Sequence, residues 1–141
     1  MREEDRVPGP TVEQVLAMPA LRAARPQILA GADGIKAAVR WVHAAELVDI
    51  APLLRHGDLL LSTGIAMPDT DDDLERFAAS LADIGAAGLV IELGRRWTTV
   101  PRALIDSCDA QGLPLVALIR EVRFAAVIQE VGERIVAGQL A

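Results

Sequence analysis

A single cysteine, Cys108, stands among the 141 residues, which excludes an intramolecular disulfide and leaves too little sulfur for a Cys-rich zinc site. Lysine is as scarce. Lys36 is the only one, and it lies outside any Gly-x4-Gly-Lys-Ser/Thr setting, so the sequence holds no phosphate-cradling P-loop. Hydrophobic residues make up 52% of the chain, yet no run reaches the roughly 18 uncharged apolar residues that a membrane-spanning helix needs. The opening Met-Arg-Glu-Glu-Asp-Arg lacks the basic-then-apolar order of a signal peptide, and the cytoplasm is the expected location. Positive charge is in deficit, with 14 basic against 20 acidic side chains and a formal net charge of −6. These residues are therefore not expected to track a nucleic-acid backbone themselves.

Catalytic signatures are missing too. No Gly-x-Gly-x-x-Gly turn follows a strand, and there is no Gly-x-Ser-x-Gly elbow. Ser62 sits at a strand end, but nothing places a histidine beside it, and a serine nucleophile without a base is inert. His43 and His56 are isolated, with Glu46 the one acid at strand or helix spacing from His43, so no metal set forms. The sequence assigns no catalytic residue, no cofactor and no metal, and the chain is expected not to be an enzyme.

What is present is a succession of strand and helix patterns. Residues 1–10 are charged and then broken by proline and glycine, which predicts a disordered arm. Thr11 can cap a short helix running to Met18, stopped by Pro19. Gln27 to Ala30 reads as a short strand before the Gly31-Ala-Asp-Gly34 turn. From Ala38 to Leu47 apolar and β-branched residues alternate, with Val39, Trp41 and His43 on one side and Arg40, Val42 and Ala44 on the other. Asp49 to Arg55 predicts a helical turn or two around Pro52. Asp58-Leu-Leu-Leu-Ser-Thr-Gly64 is the apolar run of a buried strand emptying into a loop.

In the second half, Asp69 or Thr70 caps a helix whose apolar positions Leu74, Phe77, Ala78, Leu81 and Ile84 follow one face. Leu89 to Leu93 is a strand closed by Gly94. A helix starts near Pro101 and stops at Gly112, Leu115 to Ile119 is another buried strand, and Phe124, Val127, Ile128, Val131 and Ile135 stripe a terminal helix over 124–140. Strand alternating with helix over residues 58–139 predicts right-handed βαβ units. The fold class is α/β, a single domain over 11–141 with a mostly parallel sheet flanked by helices.

Polar residues cluster at the predicted strand ends, where open parallel sheets bind ligands. His43 and Glu46 follow the first long strand, Ser62, Thr63 and Gly64 the second, Glu92, Gly94, Arg95 and Arg96 the third, and Arg120 and Glu121 the last. As one rim they would suit a small polar, anionic or ureido-like ligand. Plainer readings stand beside this one. A tryptophan on a strand, as at Trp41, is more often core than a stacking platform, and His43 is more often satisfied by a backbone carbonyl. Glu46 and Glu92 flank apolar strands and need partners when buried, a service that Arg40 or Arg95 could supply. Asp71 to Asp73 cap a helix, and Cys108 is a small hydrophobe.

Asp33-Gly34, Val39-Arg-Trp-Val-His43, Glu46-Leu47 and Gly57-Asp-Leu-Leu-Leu-Ser-Thr-Gly64 together resemble the N-terminal domain of PucR-type purine-catabolism transcriptional regulators. The likeness continues through Gly88-Leu-Val-Ile-Glu-Leu-Gly94, Val100-Pro101, Gly112-Leu-Pro-Leu115 and Phe124 with its helix, spanning Thr11 to Val136 in order. Arg123 departs from it, because the family often has proline before that phenylalanine. Such domains are similar to the N-terminal domains of HPr kinase and Mur ligases. The resemblance implies a bacterial sensory domain ahead of a C-terminal helix-turn-helix, responsive to a small nitrogen-rich metabolite, with Trp41, His43, Glu46, Thr63, Gly64 and Glu92 as the ligand-binding candidates. DNA would then be met only through a C-terminal region toward which helix 124–140 leads. Two rival expectations are a homodimerising scaffold with no ligand, assembled through the stripe on residues 124–135, and an accessory domain of a kinase or ligase.

Overall fold

A computed structural model describes residues 9–46 and 49–140; residues 1–8 of the arm expected over 1–10, and Leu47, Val48 and Ala141, lie outside them. Two short helices come first, α1 (Val12–Leu16) and α2 (Pro19–Arg22). Thr11 caps α1 as its hydroxyl accepts from Gln14 N, and the Gln14 side chain accepts from Thr11 N in return, a reciprocal capping box. Pro19 does more than stop α1. It opens α2, where a proline at the first helical position gives up an amide that would have no intrahelical partner.

Five strands form one sheet in the order β1 (Pro26–Ala30), β5 (Leu115–Leu118), β4 (Gly88–Glu92), β3 (Asp58–Ser62), β2 (Trp41–Ala44). Strands β2 to β5 are parallel neighbours in chain order, and β1 pairs antiparallel with β5 at the edge. The predicted strand over 38–47 is shorter than expected, four residues, and its covered position is Val42, opposite Leu59, while Trp41 and His43 are half-buried.

Helices α3 (Asp71–Asp83) and α4 (Arg102–Ala110) carry the crossovers β3–β4 and β4–β5 and lie on one face, as right-handed connections require. Thr70, not Asp69, caps α3 by accepting from Asp73 N. A hydrogen bond from the Thr70 side chain to the Asp73 carboxyl, together with the Arg76 guanidinium, holds that carboxyl below the usual carboxylate range. On this face Leu60, Leu89, Ile91, Leu115 and Ala117 meet Leu74, Phe77, Leu81, Leu104 and Cys108. Burial pushes the Cys108 thiol up to about 12, so it packs as a neutral hydrophobe. On the other face Leu59, Leu61, Val90, Val116 and Leu118 meet α1, α2 and α5 (Phe124–Leu140), the last through Val127, Val131 and Ile135. Both faces of β3, β4 and β5 are covered, which is why those strands read as continuous apolar runs rather than alternations.

Candidate functional site

The carboxyl end of the sheet gathers most of the expected rim. Glu46, two residues past β2, sends its carboxylate across to the end of β3. There it accepts from Ser62 Oγ at 2.5 Å, from Thr63 N at 2.7 Å and from the Thr63 hydroxyl. The Ser62 hydroxyl in turn accepts from Gly64 N at 3.0 Å. Gly64 holds φ +80°, and the Trp97 ring lies 3.0 Å from where a Cβ would stand, so a side chain there would be doubly opposed.

Arg96 closes the next loop. Its Nη1 donates to Gly64 O at 2.8 Å and to Met67 O, its Nη2 pairs with Asp69 at 2.5 Å, and its guanidinium lies 5.0 Å from the Trp97 ring centroid. Glu92, at the end of central strand β4, is 3% exposed. Its Oε2 accepts from Val122 N at 2.9 Å, just before α5, and its Oε1 is 3.7 Å from Arg95 Nε. A buried carboxylate is stable only with such partners. The main one is a backbone amide, where the sequence pointed to an arginine.

Trp41 and His43 are not part of this rim. Trp41 packs its ring over Gly132 of α5, with Cη2 3.2 Å from where a Cβ would be. His43 turns Nε2 to within 3.1 Å of Asp58 Oδ2, at the amino end of β3. Asp58, which was not among the residues expected at the site, is fully buried. Its Oδ1 lies 2.8 Å from Arg40 Nη2, and its Oδ2 accepts from Arg55 N at 2.9 Å. Part of the signal was available, since a carboxylate opening a wholly apolar strand must find cationic or amide partners, and Arg40 and His43 lie in the predicted strand that precedes it. Among the described residues no three His, Cys, Asp or Glu side chains converge as metal ligands, and no helix is long and apolar enough to cross a membrane.

The topology accounts for the packed rim. A doubly wound sheet opens a crevice where its strand order reverses. Here β2, β3, β4 and β5 step across the sheet in one direction, and the strand-end loops fold onto one another instead. Where the amino ends of the strands meet α5, a depression of about 1150 Å³ opens, touched by Arg40, Arg55, His56 and Arg134.

This architecture is similar to a solved structure, the CBS and DRTGG domains of the regulatory region of Clostridium perfringens pyrophosphatase complexed with its activator diadenosine tetraphosphate. The TM-score is 0.52 at 11% identity, over 92% of this chain and 47% of that one, a likeness of fold. In sequence the chain is 26% identical over 101 residues to the transcriptional activator PmfR of Paenarthrobacter nicotinovorans. The match takes in 72% of this chain and 22% of that protein, so the chain corresponds to about a fifth of the length of its relative. Residues 14–135 match the purine catabolism regulatory protein-like family, PucR, nearly end to end, and the chain belongs to that family.

Proposed function

We propose that the chain is a non-catalytic, ligand-responsive regulatory domain of a bacterial transcription regulator, acting in the cytoplasm. The family and the activator relative support the regulatory part. One contact carries the responsive part, the buried Glu92 carboxylate that accepts the Val122 amide. Through it, a change at the end of β4 reaches the first turn of α5, the helix expected to lead toward a DNA-binding region. A nitrogen-rich metabolite docking among Glu46, Thr63 and Gly64 would replace internal bonds, either the Ser62 and Thr63 hydroxyls on Glu46 or Asp69 on Arg96. The loop over 64–69 would then settle differently with and without ligand, and differential affinity of that kind is what switching requires.

Calorimetry with urate and allantoin tests this reading. The expected result is saturable binding that weakens about tenfold or more in Glu46→Ala and Thr63→Val, in line with loss of a charge-assisted hydrogen bond. Hydrogen exchange at Val122 should change on binding in the wild type and not in Glu92→Gln. Unchanged affinity in both rim variants would remove those residues from the site.

A second reading, assembly of two copies through α5, has its own observation. Val127, Val131 and Ile135 of the apolar stripe are buried in the sheet packing, but Val136 is 46% exposed beside Trp41 and Ile128 along a shallow groove of about 530 Å³. Sedimentation of the chain against Val136→Lys separates the readings, because loss of a dimer in the variant favours assembly.

A further inference from the structure

We propose that the depression at the amino ends of the strands is a binding site for a small polyanion bearing phosphate or carboxylate groups, gripped between Arg55 on the β2–β3 connection and Arg134 on α5. It is a different place from the strand-end rim, and it stands or falls independently of the rim reading.

The first observation is charge. The chain carries 20 acidic against 14 basic side chains, yet among the described residues those lining this depression include three arginines and a histidine and no carboxylate. Arg40 is already answered by Asp58. Arg55 and Arg134 make no ion pair among the described residues, and both side chains are exposed. Guanidinium groups match the oxygen forks of carboxylates and phosphates, and a concave wall with one sign of charge raises the local concentration of the opposite one.

The second observation is how firmly the frame is set. Fully buried Asp58 takes the backbone amide of Arg55, so the main chain beneath that side chain is pinned while the guanidinium makes no ion pair among the described residues. Beside it, Gly57 holds φ +85° and its amide donates to Gly85 O at 2.8 Å. Gly85 holds φ +73°, and a Cβ there would come 2.1 Å from His56 Nδ1, so the imidazole lies directly on the glycine backbone. Arg55 and His56 therefore rise from a rigid turn, and preorganised donors lose little freedom on binding. The floor between the two arginines is lined by small residues, Ala38, Ala86, Ala87 and Gly112, which leave about 1150 Å³ open, room for a metabolite of ordinary size.

The third observation is the far wall. Arg134, Ile135 and Gly138 belong to α5, whereas Arg55 and His56 belong to the sheet. An anion spanning both would tie the last third of α5 to the sheet, at the opposite end of the helix from the Glu92–Val122 contact.

Phosphates and carboxylates share this chemistry, and two probes separate them. The chain is titrated with pyrophosphate and with citrate, each by calorimetry at low and raised salt. At least one should saturate, with affinity falling as salt rises. Arg55→Ala and Arg134→Ala should each weaken it about fivefold or more, the scale of one lost charge-assisted contact. Arg102→Ala, an equally exposed arginine on α4 paired with Asp106, should leave it unchanged. Preference for pyrophosphate assigns the site to phosphorylated metabolites, and preference for citrate assigns it to polycarboxylates. The proposal is overturned if neither anion saturates up to about 10 mM, or if Arg55→Ala and Arg134→Ala bind as the wild type does. It is equally overturned if Arg102→Ala weakens binding as much as they do.

Discussion

At the carboxyl end of the sheet, Arg96 gives its guanidinium to three backbone carbonyls and Asp69, and Glu46 and Glu92 give their carboxylates to hydroxyls and backbone amides. At the amino end, Arg55 and Arg134 face open volume, and Asp58, the one buried charge there among the described residues, serves to hold the frame behind them. Arg96 is structural at one end, whereas at the other Arg55 and Arg134 make no ion pair among the described residues. The difference follows from the connections. Strand-to-helix loops at the carboxyl end are long and polar, and need side chains to satisfy their backbone, whereas helix-to-strand turns at the amino end are short and close on glycines such as Gly85 and Gly112. A polar residue at a strand end is thus no guide to a ligand until its existing partners are counted.

The contrast can be broken experimentally. The largest effect belongs to the amino-end frame. Gly31 holds φ +65°, and a Cβ there would lie 2.3 Å from the Leu113 carbonyl, so Gly31→Ala should lose on the order of 3 kcal/mol in urea denaturation. A loss under about 1 kcal/mol would mean that this frame yields. Next, Glu92→Ala strands the Val122 amide and should remove about 2 kcal/mol, with faster exchange at the start of α5. Arg96→Lys keeps the charge but cannot reach the same carbonyls together, and about 1 kcal/mol should go, read as a lowered melting temperature. Smallest of all, Arg55→Ala and Arg134→Ala should each leave stability within about 0.5 kcal/mol of the wild type. If they destabilise as much as the rim variants do, the two ends are alike and the comparison fails.

Much of the frame was legible in the sequence because local pattern and tertiary role agree there. Leu59 to Leu61 and Leu89 to Ile91 announced strands covered on both faces, and Leu74, Phe77 and Leu81 announced the inner face of α3. Pro19 misled because proline both ends one helix and opens the next, and only the backbone after it decides. The antiparallel pairing of Gln27 with Ala117 joins residues ninety positions apart, and no periodicity within β1 encodes it. The rim was half legible. Glu46, Thr63 and Gly64 do meet, but spacing could not tell that His43 points to Asp58 or that Glu92 is held by an amide. The amino-end depression was invisible, since its walls are drawn from Gly9 to Gly138 and only the closed fold brings them together.

The ring of Trp41 rests on Gly132 at a distance that a Cβ would crowd. Sliding α5 by one residue along its axis would carry that bare backbone away and drive a side chain into the indole. Trp41 against Gly132 therefore fixes the register of α5 on the sheet, between the Val122 contact just before the helix and Arg134 toward its other end.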